Sequence, residues 1–158
     1  MKPYNQAAYI LLASLLITSA CTTGSKVRST AAATDKTPFV HQSNITLYNK
    51  PLDTIKKHVT GRKWQLLYSI GGMTGDDKNT FTTTFYTLTK AGKLVTEKDG
   101  QTSEAPYNWK LTRDIFTGDS TYVISGIVQW KVEGIFNDTL RLADNYVDGY
   151  GYALVPAK

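Results

Sequence analysis

The amino-acid sequence predicts an all-β fold: an eight-stranded antiparallel up-and-down β-barrel preceded by one short helix. Three observations predict it. After Gly61 the apolar residues alternate with period two, short alternating runs recur to the end of the chain, and turn residues such as Ala91-Gly92, Asp99-Gly100, Asn137-Asp138 and Asp148-Gly149 separate them. Eight strands that close on themselves leave no free edge and enclose a space just wide enough for side chains or one small ligand. A sandwich is the competing architecture, and its crossover strands would call for a longer connection than these turns provide.

The chain opens with Met1-Lys2, and apolar residues fill most of positions 7–17. That run is well short of the about 20 residues a membrane-spanning helix needs, so it reads as a cleavable signal over residues 1–20. Thr18-Ser19-Ala20 leads directly into Cys21, the chain's single cysteine. This layout resembles the bacterial lipobox, with Thr18 where the pattern usually has Leu. The resemblance implies cleavage before Cys21 and acylation of that residue, which then tethers the protein to a membrane. Each buried methylene contributes about 0.8 kcal/mol, so two or three acyl chains hold a protein where one would not. No Asp follows the cysteine, only Thr22 and Thr23. The resemblance thereby implies an outer-membrane address, with the leaflet left open.

Residues 21–43 carry Thr, Ser, Ala and Lys with no apolar period, as expected of the lipidated cysteine and a flexible linker. Residues 44–158 are left to fold as one domain. The formal charge is +5, but the lysines and arginines are scattered and no basic stripe with interleaved aromatics appears, which argues against nucleic acid as a partner.

The first element is a helix over 49–61, with Asn49 as cap, Pro51 in the first turn, Leu52, Ile55 and Val59 at helical spacing, and Gly61 as stop. Trp64, Leu66, Tyr68 and Ile70 then mark one apolar face of a first strand. Further strands are expected over 81–88, 93–98, 107–113, 121–125, 128–134, 139–142 and 150–155. Phe81 and Phe85 share one face, as do Tyr107 and Trp109. Which face points inward stays open at this level.

Two blocks of residues carry a wider resemblance. The run from Ile55 to Leu66 with Tyr68-Ser69-Ile70-Gly71-Gly72-Met73-Thr74-Gly75, and the ending Asn137 to Asp144 with Asp148-Gly149-Tyr150, are similar to the lipocalin-like (calycin-type) lipoprotein domains of Bacteroidetes. The resemblance covers 52–158. It implies a lipocalin-like barrel closed at one end by the helix, with Trp64 as the tryptophan of the first strand and a late basic residue, Arg141 or Lys158, packed over it. The family usually places Gly two residues before that tryptophan, whereas Gly61 lies three before Trp64.

No catalytic layout holds together. There is no G-x-S-x-G turn and no H-E-x-x-H, and His41 and His58 lie far apart, so neither an enzyme nor a metal or other cofactor is expected. Asp144 to Gly149 starts like a calcium loop, but Tyr146 stands at its third position and Val155 at its twelfth, so a turn is the better reading. The expected function is a membrane-anchored binder of a small apolar or amphipathic ligand, lined by Trp64, Tyr68, Phe85, Trp109 and Trp130. The alternative is a barrel filled by its own aromatics that serves as a cell-envelope module for a protein or glycan partner. Oligomeric state is not legible.

Overall fold

The computed structural model describes residues 44–158; Cys21 and the segments expected to be a signal (1–20) and a linker (21–43) lie outside the described residues. The elements are β1 (Ile45–Thr46), α1 (Leu52–Val59), β2 (Lys63–Gly71), β3 (Asp77–Thr80), β4 (Thr84–Leu88), β5 (Lys93–Lys98), β6 (Gln101–Pro106), β7 (Asn108–Arg113), β8 (Ser120–Ser125), β9 (Gln129–Phe136), β10 (Thr139–Asp144) and β11 (Tyr150–Pro156). The fold is all-β with one short helix, as the period-two pattern predicts.

Helix α1 forms where Ile55 and Val59, four apart, turn one buried face to the core, with Asp53 in the first turn and Lys56, Lys57 and His58 in the last. Its cap is Pro51 and not Asn49. Asn49 is used in the preceding turn, where Lys50 N donates to the Leu47 carbonyl and Asn49 takes a φ of 56°. Gly61 ends the helix at a φ of 78°, and its N–H donates to the Leu88 carbonyl across to β4.

The expected single apolar face of β2 is broken in the middle. Leu66 pairs with Leu154 and Tyr68 with Ala153, so Leu67 is one residue more than β11 can match. This bulge reverses the faces beyond it. Trp64 and Leu66 are buried, whereas Ile70 is 42% exposed and Ser69 takes the inner position at 5%.

Every pairing is antiparallel, in the order β6-β5-β4-β2-β11-β10-β9-β8-β7. Strand β3 pairs with the far half of β2, beside β4, and β1 pairs with the far half of β9, beyond β8. The eight closed strands predicted from the sequence are thus corrected to eleven in a sheet that is open between β6 and β7. Only Tyr107 joins those two strands. Eight successive antiparallel steps give β6 and β7 the same sense, and a single residue cannot reverse a chain, so they form no hairpin. The polypeptide passes from one sheet edge to the other through a bend at Tyr107.

The sheet curls strongly. A flat sheet would hold β4 and β9, four pairings apart, about 19 Å from each other. Yet Tyr86 of β4 and Trp130 of β9 meet edge to face at 5.1 Å between centroids, and Trp130 meets Tyr152 of β11 at 5.3 Å. Around this trio pack Leu66, Leu88, Leu94, Ile124, Val132 and Leu142, while Ile55 and Val59 bring the helix into the same core.

Candidate functional site

The five residues expected to line a ligand are not gathered around one cavity. Trp64 and Trp130 are core residues at 1% and 4% exposure, and the Trp64 indole N–H donates to the Val59 carbonyl at 3.0 Å, tying the first strand to the end of the helix. Tyr68 and Phe85 face outward, each under a lysine: the Lys78 ammonium lies 4.7 Å from the Tyr68 ring and the Lys63 ammonium 4.7 Å from that of Phe85. Arg141 packs over Phe136, at 5.9 Å, on the outer side of the sheet.

Trp109 stands in a different setting. It shares a face with Tyr107, two residues earlier, and the rings meet edge to face at 6.1 Å. Tyr107 is held at both ends: its N–H donates to the Gly92 carbonyl and its hydroxyl to the Thr89 carbonyl, each at 2.8 Å. Burial raises the pKa of this phenol, which stays protonated as a donor. The bend between β6 and β7 brings this aromatic pair beside the last turn of α1 and the turn between β4 and β5. Lys56, Lys57 and Thr60 of the helical side and Lys90 of the turn complete a groove of about 560 Å³ around them. The His58 pKa is lowered, first by burial and then by the charges of Lys57 and Arg62.

A second depression, of about 670 Å³, lies outside β9 and β10, between β1 and the loop joining β7 to β8. At its base Lys131 and Asp114 form a buried ion pair of 2.8 Å. Burial pushes the Asp114 carboxyl up, but the bond from Lys131, the Phe116 N–H at 2.9 Å and the Tyr48 hydroxyl outweigh it, and the pKa is held below its ordinary value. The Lys131 ammonium also lies 5.3 Å from the Phe116 ring and 5.9 Å from that of Tyr48. Sequence reasoning missed this pair, because seventeen residues separate its members. The one local signal is a lysine set between Trp130 and Val132 in a buried strand.

Asp144, read above as part of a turn, accepts hydrogen bonds from Tyr150 N at 2.9 Å and from the Tyr152 hydroxyl at 3.0 Å, and thereby holds the β10–β11 connection. Among the described residues no three His, Cys, Asp or Glu side chains cluster as metal ligands, and no helix is long and apolar enough to cross a membrane. Comparison with protein-family models, curated proteins and solved structures gives no match.

Proposed function

We propose that this chain is an outer-membrane-anchored, lipocalin-like lipoprotein that binds a small apolar or amphipathic molecule. The anchor rests on the apolar run ending in Thr18-Ser19-Ala20-Cys21. The barrel rests on connectivity. If β3 and β4 count as one interrupted strand, and β6 and β7 as one bent strand, the elements from β2 to β11 make eight consecutive strands, with the last paired back on the first. Closure then runs through the covalent bend at Tyr107. The lipocalin likeness is supported by this plan together with α1 packed beside Trp64.

One observation carries the ligand reading: the groove of about 560 Å³ that places Trp109 and Tyr107 beside the end of α1, within the range of small-molecule sites. The ligand lies there and not at the centre, where Tyr86, Trp130 and Tyr152 contact one another. Native mass spectrometry of the full-length chain, purified without detergent, tests this reading. A co-purifying small molecule that is lost from Trp109→Ala is the expected result, and its repeated absence from the unaltered chain sinks the reading.

The interaction-module alternative draws on one specific feature. Asn145 bridges two loops, accepting from Ile115 N at 3.3 Å and donating to the Arg113 carbonyl at 3.1 Å. Beside that joint Phe116 and Val147 are 66% and 71% exposed. Under that reading Phe116→Ser with Val147→Ser removes function, while Trp109→Ala leaves it unchanged.

A further inference from the structure

We infer that the ligand of the Trp109 groove is an amphiphilic anion, its carboxylate or phosphate head held by Lys56, Lys57 and Lys90 and its apolar part laid on Tyr107 and Trp109. The inference rests on the ligand-binding reading above and adds the chemical class.

Its ground is unneutralised charge. Three lysines elsewhere in the domain have acidic partners, Lys63 with Glu97, Lys93 with Glu104 and Lys131 with Asp114. Among the described residues Lys56, Lys57 and Lys90 have none, although they converge on one groove from two elements. Lys90 is drawn against the helix end: its Cε lies 3.7 Å from the position a Cβ on Gly61 would occupy. The carboxyl end of α1 offsets part of this charge, but a helix terminus carries only about half an elementary charge, against three full ones here. Like charges held together in this way raise the local potential and draw an anion, and ammonium groups meet carboxylate or phosphate oxygens in charge-assisted hydrogen bonds. The aromatic wall supplies the other half of the pattern. Trp109 and Tyr107 offer ring surface without charge on the same groove, so the site matches a molecule with one anionic end and one apolar end.

The test titrates the full-length chain by calorimetry, below micellar concentrations, with dodecanoate, dodecyl phosphate, dodecan-1-ol and inorganic phosphate. Dodecanoate and dodecyl phosphate are expected to bind at least tenfold more tightly than dodecan-1-ol and than inorganic phosphate, and to weaken as salt is raised. The triple variant Lys56→Gln, Lys57→Gln, Lys90→Gln is expected to lose at least tenfold toward the two anionic amphiphiles and nothing toward the alcohol. Trp109→Leu, which keeps an apolar side chain at the bend, is expected to weaken all three dodecyl probes. Equal binding of the alcohol, with no loss in the triple variant, overturns the anion and leaves the ligand-binding reading standing. Inorganic phosphate bound as tightly as dodecyl phosphate overturns the amphiphile. Failure of every dodecyl probe to bind the unaltered chain overturns this inference, while the proposed function stands or falls separately on the co-purifying molecule.

Discussion

Lys131 and Asp114 show how far one residue's role depends on its surroundings. Lysine and aspartate are almost never fully buried unless paired, and here their side chains are 9% and 0% exposed and bonded at 2.8 Å. Burying two charges is costly, and the pair holds only because each partner is compensated, Asp114 by three donors and Lys131 by a carboxylate and two aromatic faces. Asp114→Asn leaves a buried ammonium without its counter-charge and is expected to cost about 3–5 kcal/mol in urea unfolding, while Asp114→Leu with Lys131→Met recovers most of that loss. The pH dependence follows from direction. The folded-state pKa lies below the ordinary 3.8, so the contribution is complete above the unfolded value and is lost as pH falls through the folded one. The gap between the parent chain and Asp114→Asn is therefore expected to be constant from pH 5 to pH 7 and to close on acidification below about pH 4.

At the scale of elements, two bulges decide which residues are inside. Leu67 shifts β2 against β11, and Glu133 does the same to β9, since Arg141 pairs with Gly134 but Leu142 with Val132. The second bulge has a use. Its carbonyl accepts from both Leu47 N and Tyr48 N, at 2.9 and 3.1 Å, and so anchors the segment that leads into α1. Gly134 next to it has no room for a side chain: an added Cβ would stand 2.4 Å from the Ile45 carbonyl oxygen and 2.8 Å from the Phe136 ring. Gly134→Ala is expected to push β1 away and to cost about 1–3 kcal/mol, with faster amide exchange at Leu47 and Tyr48 as the local sign. The loss of stability without that local exchange would show that the strain is relieved elsewhere. Strands β3 and β6 escaped sequence reading for a related reason. All four residues of β3 are exposed, and β6 is exposed everywhere except Ala105, so neither carries an apolar alternation. The period-two signal reports burial on one face, and a strand wet on both faces sends none.

For the whole molecule, the opening between β6 and β7 sets the distribution of stability. Strands β2, β9, β10 and β11 have partners on both sides and hold most of the buried core, whereas β6 pairs only with β5 and β7 only with β8. Hydrogen exchange is expected to be slowest in β2, β9, β10 and β11 and fastest in β3 and β6, and uniform protection across the strands would contradict this picture. Beside the same opening Trp109 is half-buried and lines the groove, so the weakest seam of the sheet is also where the proposed ligand sits.

The all-β class, a short helix before the first long strand, its stop at Gly61 and the turns at Ala91-Gly92, Asp99-Gly100, Asn137-Asp138 and Asp148-Gly149 were legible in the residues themselves. Each depends on neighbours a few positions away: a φ that glycine tolerates, a proline that opens a helix, an apolar residue every second position. The open sheet with its bend at Tyr107, the reversal of Tyr68 and Ile70, the Asp114–Lys131 pair and the groove that joins Lys56 to Lys90 and Trp109 were decided only in three dimensions. Those features arise from register and curl, which bring together residues tens of positions apart, and no local pattern of residues encodes where a strand will slip by one.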